Sequence, residues 1–575
     1  MRHDLRYFAI VVLFLLFSPQ ILHAYVYQNV TTGGIKYLIK YYDDGTTIAS
    51  CVGCVDNFNG IANILSSVEG VSVTSVSGFY DCAGLTGVII PNTVTSVSGF
   101  GNCTALTSVT IPNSVTSVSG FGNCTALTNV TIGTNVATIG NAADAAFNGC
   151  NHIENLVFLA RKGHLINSIP KTNLKNLVIG NDVESLPSWR YTSHFPKLER
   201  ITVNSANPYY DSREDCNAII ETSTDKLILG SSNTVIPNSV TTIGSDAFRD
   251  NIGLTDIIIP DEVAKIDTAA FSGCSNLKSI SIGKAATYSS LDDFWNIFYG
   301  CSPTMLIWNA KHCESNGGMT TNEIEQVYIG PEVEHIPHNF ARGSKITELN
   351  LPNSVTEIGD CAFSGCTGLT SLTIPESLKW TGYDAFEGCI NITEIFFNAK
   401  RCNTFNPYYY GYDDDRCTPL INLDRVVIGP DVEWVPNCFI EGAIKVREIT
   451  MPNSVTIIGS LAFAGCKNLK YVTLPESLKT IANGAFAECE SIKDIIIPDS
   501  TSYIYLQAFH RCTGLTTITI PQSVDTIGRT VFNYCENLRT VYWNAKKCSF
   551  SNYYYNNSVD PEGPFLYITV YLCFI

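Results

Sequence analysis

Ala362-Phe363-Ser364-Gly365-Cys366-Thr367-Gly368-Leu369-Thr370-Ser371-Leu372-Thr373-Ile374-Pro375 returns as Ala462-Phe463-Ala464-Gly465-Cys466-Lys467-Asn468-Leu469-Lys470-Tyr471-Val472-Thr473-Leu474-Pro475. The cysteines give the period: Cys366 to Cys389 is 23 residues, and the same interval separates Cys466, Cys489, Cys512 and Cys535. Cys82, Cys103 and Cys124 stand 21 apart, with Ser-Gly-Phe in place of the Ala-Phe step. Within one copy, apolar Leu372 and Ile374 alternate with polar Ser371 and Thr373, the period-two pattern of a short strand with one buried face. Pro375 ends that strand, because it has no N–H to give to a ladder. After the equivalent Pro352, Asn353-Ser354-Val355-Thr356-Glu357-Ile358-Gly359 supplies a turn and a second short apolar alternation. The Ala-Phe step then sends an aromatic ring between successive coils.

One such coil cannot bury its apolar residues alone. Stacked on its neighbours it gains a continuous core and an in-register parallel sheet, and every coil offers the same outward positions to one long face. The predicted fold is therefore mainly β, a solenoid with short parallel strands on each coil, curved or superhelical, with little helix. At 575 residues several globular domains would be the usual expectation, but a solenoid lengthens along one axis without a larger central core.

The wording Ile-Pro-x-Ser-Val-x-x-Ile-Gly-x-x-Ala-Phe resembles the BspA-like subfamily of leucine-rich repeat proteins, and the resemblance runs from about Val71 to Phe565. It implies a leucine-rich-repeat solenoid and a secreted or cell-surface protein, of a kind often linked to attachment to host proteins or other cells. Fold alone does not fix function.

The ends and one interior stretch depart from the plain coil. Residues 1–24 read as a signal peptide: Arg2 and Arg6 precede an apolar run from Tyr7 to Phe17, Ser18-Pro19 breaks it, and Ala24 offers a small residue for cleavage. The run is shorter than the ~20 residues of a spanning helix, so no transmembrane segment is expected after cleavage. Residues 25–70 are expected to form an N-terminal hairpin cap, with Asp43-Asp44-Gly45 turning between Tyr37–Tyr42 and Thr46–Cys51. The solenoid is assigned to 71–565, with a hairpin inserted near 207–230: arms Cys216–Thr222 and Lys226–Gly230 flank the turn Ser223-Thr224-Asp225. Residues 566–575 form an apolar C-terminal tail, read as a final strand or a truncated repeat. Whole blocks are also duplicated, since Trp308-Asn309-Ala310-Lys311-His312-Cys313, Phe397-Asn398-Ala399-Lys400-Arg401-Cys402 and Trp543-Asn544-Ala545-Lys546-Lys547-Cys548 each close one.

A net charge of -17 and a charged fraction of 15% argue against nucleic acid and anionic membrane surfaces, which reward clustered Lys and Arg. No Gly-x-Ser-x-Gly elbow, His-Glu-x-x-His or phosphate-cradling glycine loop is present, so no catalytic residue, cofactor or metal is assigned. His335-Ile336-Pro337-His338 beside Glu332 and Glu334 reads as loop polarity, because its copy Trp434-Val435-Pro436-Asn437 lacks both histidines. Asp413-Asp414-Asp415 lacks the alternation and terminal Glu of a calcium loop.

Of the 22 cysteines, twelve mark the coil: Cys82, Cys103, Cys124, Cys150, Cys274, Cys301, Cys366, Cys389, Cys466, Cys489, Cys512 and Cys535. Asn251 stands at the same place in another coil. A position that accepts Cys or Asn suits a buried turn group bonding to backbone, so a ladder of thiols is expected there rather than bridges. Cys51 and Cys54 form a lone CxxC, read as a local disulfide or two buried thiols.

The tyrosines supply the candidate ligand-binding residues. Tyr408, Tyr409, Tyr410 and Tyr412 in one block and Tyr553, Tyr554 and Tyr555 in another follow an Asn-Ala-Lys-x-Cys element. Aromatics on an insertion bind protein or sugar at low entropic cost; equally, they pack over the flank of an irregular coil. The expected partner is an extracellular protein or glycan. Adhesion through protein binding leads, glycan recognition through the tyrosines is the alternative, and an extracellular hydrolase is the third class.

Overall fold

The computed structural model describes residues 25–140, 146–162, 169–186, 195–285, 297–312, 323–405, 420–546, 548–551 and 571–574, so the signal segment, both tyrosine clusters and Asp413–Asp415 lie outside the described residues. Regular structure within them is almost entirely strand. The chain divides into two compact units, 1–237 with 246–254, and 238–245 with 255–575. Among the described residues no helix is long and apolar enough to cross a membrane.

In the first unit the coils build two parallel sheets. The longer strands are Leu85–Ile89, Ser108–Thr110, Asn129–Ile132, Asn155–Phe158, Asn176–Ile179 and Arg200–Val203, paired in register as Asn129↔Asn155↔Asn176↔Arg200. The short strands Ser96–Val97, Ser117–Val118 and Thr138–Ile139 form the second sheet. Burial alternates along them as the sequence alternates: in Asn129–Ile132, Val130 and Ile132 are buried. The second unit repeats this plan, with longer strands such as Ser371–Ile374 on Glu394–Phe397, and short ones such as Ile457–Ile458 on Thr480–Ile481. These strands make the chain a mainly β solenoid of stacked coils.

The sheet of short strands begins in an antiparallel meander, Tyr25–Thr32 on Ile35–Tyr42 on Thr47–Cys54, and the last of these lies parallel to Val71–Val76. The strand Tyr25–Thr32 is thus added to the hairpin read from the sequence, and Gly60–Asn63 and Ser67–Val68 follow it within the same segment. The interior insertion is also three-stranded, with Tyr210–Asp211 and Lys226–Gly230 flanking Ala218–Glu221. Arg213 braces it by pairing with Asp211 and Asp225, each at 2.7 Å.

Two columns run through the core. Phe79, Phe100 and Phe121 stack face to face, 4.8 Å between centroids and 3° from parallel. That spacing is the separation of neighbouring strands, so the step from coil to coil itself sets the ring contact. In the 23-residue coils the rings stand 5.2 to 5.8 Å apart, as for Phe463–Phe486 and Phe509–Phe532. The shorter coils turn through Gly78, Gly99 and Gly120, all in the left-handed region; a Cβ on Gly99 would meet the Gly78 nitrogen at 2.5 Å. The Ser-Gly-Phe variant thus exchanges a side chain for close backbone approach.

The second column is the cysteines. Along the column the thiols donate to the carbonyl of the aromatic or equivalent residue one coil earlier, as in Cys103 to Phe79 at 3.0 Å, Cys124 to Phe100 at 3.1 Å and Cys512 to Phe486 at 3.1 Å. The same carbonyl also accepts the cysteine amide of its own coil, Cys103 to Phe100 at 3.3 Å, so both lone pairs are used. Asn251, at the cysteine place of its own coil, also bonds to backbone, but its Nδ2 reaches the Leu198 carbonyl at 3.4 Å, three residues past Phe195 and not the position that the thiols use. Lys171, Phe195 and Ala443 hold the same place in other coils, and Lys171 lies over the Phe195 ring at 5.5 Å. In the second unit burial keeps the thiols of Cys389, Cys466 and Cys535 protonated, each pushed up to about 12.

Cys82 departs from the ladder expected of it, because it is bonded to Cys54. The meander ends beside the first coil, and so Cys54 meets Cys82 across the join instead of pairing within its CxxC. Cys51 stays a buried free thiol.

Candidate binding surface

Outward side chains fall into columns that the pairing fixes. On the longer strands of the first unit, one column carries an amide ladder: Asn155 Nδ2 donates to Asn129 Oδ1 at 2.8 Å, and Asn176 Nδ2 to Asn155 Oδ1 at 2.7 Å. On the longer strands of the second unit, large exposed residues stand singly. Ile258 (71% exposed) and Tyr328 (56%) share the column Ile258↔Ser281↔Ile307↔Tyr328, while Phe396 lies between Thr373 and Val427. Hydroxyl residues interrupt that face too often for a continuous aromatic stripe among the described residues.

The short-strand sheets differ between units. The first unit presents Ser75, Ser96, Ser117 and Thr138 in one column. The second presents His335, Glu357 and Trp380, and then Trp434, Ile457, Thr480 and Tyr503. Between these two runs lies the coil 399–405, where the register slips by three residues: Trp380 sits opposite Thr404, while Trp434 sits opposite Arg401. The Arg401 guanidinium lies over the Trp434 ring at 5.9 Å and pairs with Glu433, which also meets Lys400 at 3.2 Å. Those two cations hold the Glu433 carboxyl below its ordinary value, Arg401 first. Trp380 is 37% exposed. Tryptophan and arginine are among the residue types that dominate binding energy at protein interfaces.

Sequence reasoning missed this surface, though a signal existed: Leu378-Lys379-Trp380 and Val432-Glu433-Trp434 put tryptophan where sister coils carry Glu357 or Ile457. The tyrosine candidates Tyr408, Tyr409, Tyr410, Tyr412, Tyr553, Tyr554 and Tyr555 lie outside the described residues, but the first four follow closely on Phe405, which ends this same coil. The histidines separate into pairs with acids of the next coil, His335 Nε2 to Glu357 at 2.6 Å and His338 Nδ1 to Asp360 at 3.1 Å. Among the described residues no group of three or more His, Cys, Asp and Glu is placed to hold a metal ion.

The sequence model described as the BspA type leucine rich repeat region (6 copies) matches four stretches, 74–205, 229–340, 334–417 and 435–560, well over half of the chain. The chain belongs to the BspA-type leucine-rich repeat family. Among solved structures, it is similar to a leucine-rich repeat protein from Bacteroides ovatus ATCC 8483, at 18% identity over 93% of this chain and 100% of that one, TM-score 0.30. A leucine rich cell surface protein from Faecalibacterium prausnitzii A2-165 is 20% identical over 90% and 94%, TM-score 0.26. The T. pallidum leucine rich repeat protein is 23% identical over 36% and 70%, TM-score 0.20. No curated protein matches the chain. Family membership accounts for the stacked coils and for the repetition of outward positions; the tryptophan–arginine surface comes from residues that this BspA-type chain does not repeat from coil to coil.

Proposed function

We propose that this chain is a secreted or cell-surface protein that binds other proteins, in adhesion to host or other cells, and is not an enzyme. The observation that carries the reading is the surface of Trp380, Arg401 and Trp434, set on a rigid stack of coils in a family of repeat scaffolds. Stacked coils lose little entropy when they bind, because their outward side chains are held in register before contact. A panel of immobilised extracellular-matrix proteins, microbial surface proteins and glycans, probed with the full chain, tests it. At least one protein ligand is expected. Trp434→Ala should weaken its binding about 30-fold, the roughly 2 kcal/mol of an interface hot spot. Tyr471→Ala, on the longer-strand sheet, should change it less than about threefold. Silence across the panel, or equal binding by wild type and Trp434→Ala, sinks the proposal.

A glycan ligand is the second reading. It is favoured by the position of Tyr408, Tyr409, Tyr410 and Tyr412, which follow the coil that lies between Trp380 and Trp434. On that reading Tyr409→Ala and Tyr554→Ala abolish glycan binding while the urea midpoint stays unchanged.

A further inference from the structure

The inserted hairpin of the first unit opens a gap beside the longer-strand sheet. In a regular coil, alternate residues of each strand bond backward and the others forward. Arg200 N donates back to Lys175 O at 2.9 Å and Asn204 N to Ile179 O at 2.9 Å, so the N–H and C=O groups of Ile201 and Val203 point forward. Arg200–Val203 is the last strand of its sheet. Forward of it, Asn233 Nδ2 takes the Glu199 carbonyl at 3.1 Å, a side chain standing where every preceding coil uses a backbone amide. Past that contact the chain turns away. Val235 N bonds Cys216 O at 3.1 Å, and Thr234 Oγ1 bonds Asn217 O at 2.7 Å, so the base of the insertion occupies the neighbouring coil's attention. The forward groups of Ile201 and Val203 meet no partner among the described residues.

The space left is a cavity of about 570 Å³, lined by Asn176, Arg200, Thr202, Ser212, Asp215 and Asn217 among others. Arg200 has no ion-pair partner among the described residues, and the acidic residues Glu199 and Asp215 line the same cavity. We infer that the open edge of Arg200–Val203 is a binding site for an extended segment of polypeptide, which adds to the sheet as one more strand.

Extended polypeptide is the occupant that this edge specifies. Two N–H and two C=O groups alternate along one line at strand spacing, which is the complement of another strand's backbone and of no compact ligand. Edges are ordinarily blunted by proline, a bulge or a covering element; Arg200–Val203 has no proline and no register shift, and although the insertion's strand Ala218–Glu221 lies near it, the cavity still reaches all four of its residues. The volume lies in the range of ligand pockets and holds a short segment, not a folded domain. Its lining selects small polar side chains, Ser, Thr and Asn, with an acidic residue opposite Arg200. This site stands in the first unit and does not depend on the tryptophan surface of the second.

The experiment selects phage-displayed random heptapeptides on the full chain and measures the selected peptides, synthesised with capped ends, by fluorescence anisotropy and amide hydrogen exchange. Bound peptide should slow exchange at Ile201 and Val203 at least tenfold. Val203→Pro removes one forward N–H at an edge position where proline is tolerated, and Ser212→Trp fills the cavity from the insertion. Both should weaken peptide binding at least tenfold, with urea midpoints confirming the fold; either variant alone is sufficient if the other is unstable. Peptides that bind both variants as well as wild type, or that leave the Ile201 and Val203 amides unprotected, overturn the inference. So does protection of those amides by free glucose, galactose or sialic acid when no selected peptide protects them.

Discussion

Replacing Phe100 with alanine is expected to cost about 3–5 kcal/mol, the range of a fully buried aromatic truncated in a packed core. Phe100 is completely buried and stacks on Phe79 and Phe121 at 4.8 Å on each side. One substitution therefore empties two ring contacts and leaves a void that the backbone cannot close, because the coil spacing is fixed by strand pairing above and below. In a stack of repeats the stability is close to a sum of coil and nearest-neighbour terms, so the loss should be local. Amide exchange should rise most between Phe79 and Phe121 and little near Asn176. Phe100→Leu, which retains much of the volume, should cost less than half as much. The Phe100 carbonyl, which accepts the Cys124 thiol at 3.1 Å, survives either change, so the experiment reports on the ring and not on the cysteine column. A loss below about 1.5 kcal/mol for Phe100→Ala would show that the rings only fill space between coils held by their backbones.

Much of this architecture was legible because the same local decision is repeated. Alternation in Ser371–Ile374 gives the buried face, Pro375 stops the strand, and the tolerance of Asn251 at a cysteine position marks that position as a buried polar group bonding to backbone. What escaped has no period. The Cys54–Cys82 bridge joins an unrepeated meander to the first coil, so no spacing announces it. The strand Tyr25–Thr32 has no coil to copy. Its hydrogen bonds come from the antiparallel partner Ile35–Tyr42, a tertiary fact. The Trp380–Arg401–Trp434 surface is staggered by a three-residue slip in register, which sets Trp380 opposite Thr404 and Trp434 opposite Arg401, and register lies in the pairing of coils and not in any one of them. Likewise the hairpin was readable as a hairpin, but the unpaired edge that it leaves at Ile201 and Val203 depends on how its base, Cys216 and Asn217, enters the next coil.

The cysteine column should make the second unit fail in alkali. A free thiol titrates near 9, whereas burial pushes Cys389, Cys466 and Cys535 up to about 12 and Cys489 and Cys512 well above their ordinary value. Below about pH 8 both folded and unfolded chains hold these protons, and stability does not depend on them. Between 9 and 12 the unfolded chain releases them and the folded chain does not. The unfolded state then binds fewer protons, so stability falls as pH rises, by up to about 1.4 kcal/mol per pH unit for each thiol. Five such thiols make the expected slope roughly 7 kcal/mol per unit, larger than any single substitution considered above. Urea unfolding in a reducing buffer from pH 7.5 to 10.5 measures it. Tyrosines and lysines titrate in the same range, so the decisive comparison is with Cys489→Ser and Cys512→Ser together. Serine keeps a donor for the carbonyls of Phe463 and Phe486 but does not ionise. The double variant should be less stable than wild type at pH 7.5, by about 1 kcal/mol for each altered bond, and should lose stability in alkali with a slope shallower by two protons. The two curves should therefore converge as pH rises. Parallel curves would mean that the thiols ionise as readily in the folded stack as in the unfolded chain, and the column would then be neither dry nor closed.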